Sequence, residues 1–412
     1  MAERIVITGL GAITPLGNDW RQTWSSLTAG RSGVGPITHF NPEGMATRIA
    51  AEVKGFVPSA MLTVKQVNRM SRGSQLAVVA AREAVADAGL DFDLSETEAG
   101  IIVNSAVSGF AEVQDATEIF HSNGQRHMSP RFVPSALTNM PACEIAMDLK
   151  VHGPVNASAL ACASGAYALL EARRLLLSGE ADVMLAGGTD AAITPVMFAG
   201  LNAMHAMSTS NDTPTEASRP FDADRNGFVF GEGAVVLVME RLSTARARGA
   251  HVYAEVLGGA LTSDAFNVVA PEPSGTYATR AITRALANAG LEPSDLDLVC
   301  AHGTSTRAND RTETAALKQA LGASAKDVAV TAPKSMTGHL IGAAGALAGM
   351  LCALSISEGV IPPTINYTTP DPECDLDYVP RVAREQRVRH AITNAFGFGG
   401  QNCVVAFGEV SD

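Results

Sequence analysis

The chain has 412 residues, 46% of them hydrophobic, 17% charged and 38 of them glycine, which excludes a coiled coil, a collagen and a disordered linker protein. At roughly 150 residues per domain, the length alone predicts two or three domains. A formal charge of −12, from 30 basic against 42 acidic residues, argues against a nucleic-acid partner and confines any acidic protein partner to a local basic patch.

The chain opens with a predicted strand over 4–9 that runs into a Gly/Pro turn at 11–17. The start lacks a basic segment followed by an apolar one, and a cytoplasmic location is expected. Gly9-Leu-Gly11-Ala-Ile-Thr14 begins like a dinucleotide fingerprint, but Thr14 stands where the third glycine belongs and Pro15 follows. A phosphate loop is also absent, so no nucleotide is expected. Short apolar runs then recur at 99–104, 155–161, 181–186, 234–239, 296–301, 328–331 and 403–407, with helical patterns such as 74–88 and 165–178 between them. Fully apolar strands alternating with helices predict buried sheets covered on both faces. The longest apolar stretch, 341–356, is broken by glycines and falls short of the ~20 residues of a membrane span. It reads as a buried helix.

An internal repeat organises these elements. Ala80-Ala-Arg-Glu-Ala-Val-Ala-Asp-Ala-Gly-Leu90 is echoed by Arg280-Ala-Ile-Thr-Arg-Ala-Leu-Ala-Asn-Ala-Gly-Leu291, and each copy continues through an acidic loop into a strand. Each half then carries a strand, a small-residue turn and a Gly/Ala-rich helix. The turn of the first half is read as 161–165 and that of the second as 334–339. Two related halves are therefore expected, 1–250 and 251–412, facing each other across a shared site.

Cys162 is the candidate nucleophile. It stands where the strand 155–161 gives way to a helix, and a thiol at a helix N-terminus meets free N–H groups and the positive end of the dipole, which favour thiolate. Ala163, Ser164 and Gly165 leave room for a substrate. The other five cysteines (Cys143, Cys300, Cys352, Cys374, Cys403) read as small hydrophobes, with no CxxC or zinc spacing among them. A serine-hydrolase elbow needs Gly-x-Ser-x-Gly, and Leu160-Ala-Cys-Ala-Ser164 does not supply it. His302 and His339 each lie in a polar, Gly-containing turn after an apolar strand, the second beside Lys334. HExxH is absent and no third ligand lies at metal spacing, so no metal is expected. Asn394-Ala-Phe-Gly-Phe-Gly-Gly-Gln-Asn402 places three glycines around Phe398, which suggests close approach of backbone to a ligand, Gly399 included.

Taken together, the opening Val-Ile-Thr-Gly-Leu-Gly, the Ala-Cys-Ala-Ser-Gly elbow, Arg219-Pro-Phe-Asp222 through Gly231-Glu-Gly233, His-Gly-Thr-Ser-Thr, Lys-Ser-Met-Thr-Gly-His and Phe-Gly-Phe-Gly-Gly span essentially the whole chain. This set resembles the elongating type II β-ketoacyl-acyl-carrier-protein synthases of the thiolase-like superfamily. The resemblance implies an α/β fold of five layers, α-β-α-β-α, from two duplicated halves. It also implies a decarboxylative Claisen condensation: Cys162 takes the acyl group, and N–H groups of Cys162 and Phe398 form the oxyanion hole. His302 and His339 would hold the malonyl thioester oxygen, and Lys334 would set charge and orientation around His339. Thr304 and Thr306 would meet the pantetheine arm, Phe398 would act as a gate, and Val107 would line the acyl pocket. No metal or organic cofactor is implied beyond the carrier-bound phosphopantetheine.

The implied partner is acyl carrier protein, with Lys65, Arg69, Arg72, Arg126 and Arg131 as members of a docking patch. A second subunit is implied too, either an identical copy or a chain-length factor. No nucleic acid or membrane is expected. The sequence departs from the housekeeping fatty-acid pattern at Ala348 (commonly Glu), Gln401 (Thr or His), Asn267 and Val269 (His-x-Thr) and Ser210 (Arg). These departures lean toward polyketide or polyene assembly over housekeeping fatty-acid synthesis. A non-catalytic chain-length factor would lack the nucleophile, and a thiolase would carry Cys in place of one histidine.

Overall fold

In the computed structural model, residues 3–90 and 94–411 are described; residues 91–93, part of the first acidic loop, lie outside them. Ten strands form the main sheet: β1 (Ile5–Ile13), β2 (Ala99–Asn104), β3 (Val155–Asn156), β4 (Val183–Asp190), β5 (Gly233–Arg241), β6 (Ala254–Ser263), β7 (Leu298–Cys300), β8 (Ala329–Thr331), β9 (His390–Gly397) and β10 (Gln401–Gly408). From the middle outward, one half runs β1-β5-β4-β2-β3 and the other β6-β10-β9-β7-β8. Adding five to each label converts the first order into the second. The pairing directions repeat as well: antiparallel, antiparallel, parallel, parallel in both halves. The halves join where β1 meets β6, with Val6 opposite Glu255 and Ile7 opposite Ala254.

The layers follow from alternation along the strands, since successive side chains point to opposite faces. Val235, Leu237 and Met239 of β5 enter the central core, whereas Val236 and Val238 enter an outer one. Helices α1 (Arg72–Asp87), α2 (Met140–Leu149), α3 (Ser164–Ser178), α4 (Pro195–Ala203), α5 (Thr276–Ala289), α6 (Arg307–Leu321) and α7 (Ala344–Glu358) occupy the spaces between. α1 and α2 cover the first half, α5 and α6 cover the second, and α3 and α7 lie between the halves in the central core. The result is the expected five-layered α-β-α-β-α stack. Among the described residues one helical stretch, Ile341–Glu358, is long and apolar enough to cross a membrane, and 83% of it is buried within the fold. It is the central helix.

Glycine makes this close packing feasible. A Cβ on Gly9 or Gly11 of β1 would lie 2.2 Å or 1.9 Å from carbonyl oxygens of α1, so the pair that begins like a nucleotide fingerprint serves helix-to-sheet packing. Gly165 and Gly345 play matching parts at the crossing of α3 and α7: a Cβ on the first would meet the Gly342 oxygen at 2.6 Å, and one on the second the Ala166 nitrogen at 2.4 Å.

Two sequence-based expectations change. The predicted strand 155–161 pairs only at Val155–Asn156, because the chain must leave the sheet edge to build the elbow around Cys162. The repeat of that elbow is also placed differently. The counterpart of the turn Ala161–Ala163 is Ile341–Ala343, which likewise precedes the central helix of its half and begins with a left-handed residue, φ 47° at Ala161 and 50° at Ile341. Gly342 thus stands where Cys162 stands in the other half, and the loop 334–339 is an additional feature of the second half.

Candidate active site

Cys162 lies in the turn immediately before α3. The left-handed Ala161 costs about 1–2 kcal/mol on its own, and Ser164 offsets it by fixing the turn from both sides. Its Oγ accepts the Leu160 N–H at 2.9 Å and donates to the Ala161 oxygen at 2.7 Å. Asn104, at the end of β2, donates to the Ser164 oxygen at 2.8 Å and accepts the Ser158 N–H at 2.7 Å. The sulfur is buried, and burial pushes the Cys162 thiol up to about 11, although the Lys334 charge and the backbone N–H groups of Phe398 and Cys162 pull the other way. The expectation of a resting thiolate therefore needs correcting. Desolvation in the central core outweighs the helix end and favours the neutral thiol.

The second half brings both histidines to this sulfur. One ring nitrogen of each and the Cys162 Sγ all lie within 4.8 Å of one another, with ring centroids 5.5 Å apart and planes at 84°. The Ile341 N–H donates to His339 Nδ1 at 3.2 Å, which leaves Nε2 as the protonated nitrogen, and this buried Nε2 has no partner within the fold. The Lys334 ammonium lies 3.4 Å from His302 Nδ1 and donates to the His302 carbonyl at 2.5 Å, so His302 also carries its proton on Nε2. Burial, then the Lys334 charge, hold both imidazoles well below the ordinary value, and they are neutral. Each ring thus has an Nε2–H free to donate, and one nitrogen of each ring lies beside the sulfur. The Lys334 charge acts on His339 as the sequence-based expectation has it, but its hydrogen bonds go to His302, so the orienting part of that expectation changes. Its loop turns away after the short helix Lys334–Thr337, and the His339 N–H is taken by the Val229 oxygen at 2.7 Å.

A residue that the sequence reading missed holds this arrangement together. Glu313 on α6 accepts the N–H groups of His302 at 2.7 Å and Gly303 at 2.8 Å, and its oxygens also take the amides of Asn394 (3.0 Å) and Asn309 (3.3 Å). Its only sequence signal is an acidic residue on the helix that follows the His302 loop. Ala348 is buried in α7, and the Glu313 carboxylate is one whose charge bears on Lys334.

These groups open into a cavity of about 870 Å³ lined by Cys162, His302, His339 and Phe398. Val107, Met197, Leu201, Met204, Phe230 and Ile341 supply apolar wall, and Thr304, Thr306 and Arg307 supply polar wall. Thr304 and Thr306 share a hydrogen bond of 2.8 Å, and Thr306 also caps α6 through the Asn309 N–H. Phe398 is half exposed on the Gly-rich turn after β9, whereas Gly399 falls outside the cavity wall: its N–H is tied to the Val268 oxygen at 2.9 Å, and Gly397 and Gly400 line the cavity instead. Asn267 closes its own turn by accepting the N–H groups of Val269 and Ala270, and Val269 reaches the cavity. Cys162, His302 and His339 form the only grouping of three metal-ligand residue types among the described residues, and all three are buried.

Of the anticipated docking cations, Lys65, Arg126 and Arg131 are exposed. Arg72 instead makes a bidentate pair with buried Glu232, both contacts at 2.7 Å, and Arg69 pairs with buried Glu144. Those two arginines are taken up by the framework. The Arg219–Asp222 and Gly231–Gly233 motifs are framework too: Asp222 accepts the Thr368 and Thr369 N–H groups at 2.6 and 2.7 Å.

Residues 2–245 match the family described as "Beta-ketoacyl synthase, N-terminal domain", and residues 253–368 match "Beta-ketoacyl synthase, C-terminal domain". The chain is 46% identical over 406 residues to the 3-oxoacyl-[acyl-carrier-protein] synthase 2 of Synechocystis sp., covering 98% of each chain. It is 43% identical to the protein of the same name from Staphylococcus aureus, again over 98% of each. Among solved structures it is similar to the ishigamide ketosynthase/chain length factor (TM-score 0.94, 38% identity, 100% of both chains). It is also similar to the ketosynthase of AntDE:AntF, a type II PKS acyl-carrier protein in complex with its ketosynthase bound to the hexaketide (TM-score 0.92, 30% identity, 100% of both chains).

Proposed function

We propose that this chain, which belongs to the beta-ketoacyl synthase family, is a ketosynthase that extends a Cys162-bound acyl chain in type II polyketide or polyene assembly. It is a condensing enzyme of the acyltransferase class. The observation that carries the mechanism is the pair of neutral Nε2–H donors beside a buried thiol.

Cys162 Sγ attacks the thioester carbon of an acyl group on acyl carrier protein. The Sγ–C bond forms, the carrier C–S bond breaks, and the thiol proton leaves with the carrier sulfur. The backbone N–H groups of Cys162 and Phe398 stabilise the oxyanion. Malonyl carrier then enters, and its thioester oxygen accepts the Nε2–H bonds of His302 and His339. As the C–C bond to the carboxylate breaks, carbon dioxide leaves and the electron pair enters the enolate that the two donors stabilise. The enolate carbon attacks the acyl carbonyl, the C–Sγ bond breaks, the thiolate takes a proton from water, and a β-ketoacyl carrier is released. Lys334 pins the His302 ring and carbonyl, and Glu313 pins its backbone. Every step uses groups of this chain, so the reading calls on no metal or organic cofactor.

The lean to polyketide assembly rests on Ala348, Gln401, Ser210, Asn267 and Val269, and it is supported by the likeness to the ketosynthase of a type II PKS and to a ketosynthase/chain length factor. Housekeeping fatty-acid elongation is the second reading, favoured by the 46% identity to a 3-oxoacyl-[acyl-carrier-protein] synthase 2. Exposed Lys65, Arg126 and Arg131 suit an acidic carrier. The open edge at β3, with exposed Phe120, Val133 and Leu137 on neighbouring segments, suits a second subunit, identical or a chain-length factor. Intact-protein mass spectrometry after incubation with acyl carriers of graded length, with and without a candidate partner, tests this reading. A requirement for a partner and for polyketide-like acyl groups supports it. Full turnover of saturated chains by the protein alone favours the fatty-acid reading.

A further inference from the structure

Asp190 ends β4, is fully buried, and accepts four hydrogen bonds. Ser105 Oγ donates to it at 2.5 Å, the N–H of Ala106 at 3.1 Å, that of Val107 at 3.0 Å and that of Gly342 at 2.7 Å. Three of these donors belong to the loop after β2 in the first half, and the fourth to the turn Ile341–Ala343 in the second. Ala106, Val107 and Ile341, the residues so tethered or next to a tether, all line the cavity beside Cys162. The fit is close: a Cβ on Gly342 would lie 2.5 Å from Asp190 Oδ2 and 3.0 Å from the Ala106 nitrogen. Helix α4, which supplies Met197 and Leu201 to the same wall, starts five residues after Asp190 in the sequence.

We infer that Asp190 is a positioning residue for acyl-chain selection: its carboxylate ties the Val107 loop of one half to the Ile341 turn of the other and so sets the shape of the apolar wall that the Cys162-bound chain meets. A general core role for a buried carboxylate would make every partial reaction depend on it. A wall-setting role acts most strongly on the reaction in which an acyl chain enters the pocket. All four partners are donors, so an amide in place of the carboxylate turns its NH2 toward at least one of them and loosens the tie without changing its size.

This inference rests on Cys162 being the acyl acceptor. The experiment compares wild type and Asp190→Asn in acylation by short, medium and long acyl-carrier proteins, read as adduct mass on Cys162. It also compares Cys162→Ala with Cys162→Ala/Asp190→Asn in carbon dioxide release from malonyl carrier. The expected result is a change of about tenfold in the long-to-short acylation ratio, with decarboxylation, which Asp190 reaches only through the turn whose Ile341 N–H holds His339, lowered by a much smaller factor between the two Cys162→Ala proteins. An unchanged ratio overturns the inference, and so does a loss of decarboxylation that matches the loss of acylation. Wild-type protein that takes no acyl group on Cys162 would instead sink the nucleophile assignment. Should Asp190→Asn not fold, Ser105→Ala removes one donor from the same carboxylate: a smaller shift in the same ratio supports the inference, and an unchanged ratio overturns it.

Discussion

Lys334 grips His302 at two points, its Nζ lying 2.5 Å from the His302 carbonyl oxygen and 3.4 Å from Nδ1. The grip fixes both the ring position and the tautomer, because an ammonium can only donate. Lys334→Met removes both contacts and frees the His302 proton to sit on either nitrogen. Malonyl decarboxylation should fall about a hundredfold, the scale of losing one donor to a developing oxyanion. Stopped-flow detection of carbon dioxide release checks this, and an undiminished rate would exclude Lys334 from orienting His302.

The same buried charge enters the titration of Cys162. Burial raises this thiol to about 11 and Lys334 lowers it. Alkylation by iodoacetamide should therefore climb steadily through neutral and mildly alkaline pH without a plateau, since the thiolate is the nucleophile. Lys334→Met should shift that climb to higher pH, because removing the cation leaves burial less opposed. A plateau near neutrality in the wild-type protein would show a resting thiolate.

Neutral histidines have their own pH signature. Both imidazoles are held well below the ordinary value, so folding disfavours their charged forms. Acid would thus have to protonate them at a cost to the native state, and stability from this source is lost as pH falls, not as it rises. Decarboxylation should show no inflection near the ordinary imidazole value of about 6.5. An inflection there would mean that one of the two rings titrates freely.

Packing gives a prediction separate from chemistry. Gly165→Ala places a methyl 2.6 Å from the Gly342 oxygen and 2.7 Å from the Ala346 nitrogen, both backbone atoms. Overpacking of this kind costs about 1–3 kcal/mol, and it should appear as a lower urea midpoint, with acylation slowed because α3 carries the elbow. The same midpoint as wild type would mean that α3 and α7 can separate without penalty.

Much of this was legible in the sequence, and the exceptions share a cause. Cys162, His302 and His339 stand out because each interrupts an apolar strand-to-turn pattern with a reactive side chain, and the apolar stretch 341–356 reads as a buried helix, observed at Ala344–Glu358. Glu313 and Asp190 carried no such signal. One is an acid on an amphipathic helix and the other an acid at a strand end, and only the fold shows the N–H groups converging on them. β6 and β9 were passed over because Gly258, Gly259, Thr393 and Asn394 dilute their apolar runs. The elbow repeat was misplaced because Ile341 at positive φ breaks the usual preference for glycine there, and no sequence pattern announces a strained β-branched residue. Arg69 and Arg72 were misread as docking charges for a related reason: their partners Glu144 and Glu232 are distant in the chain.

The central claim is that Cys162 carries the acyl chain while His302 and His339 perform the decarboxylation. It is tested most directly by giving Cys162→Ala malonyl carrier together with acyl carrier, and measuring carbon dioxide and β-ketoacyl carrier in the same reaction. Carbon dioxide should still be released, with no β-ketoacyl product formed. Formation of β-ketoacyl carrier by that variant would contradict the claim.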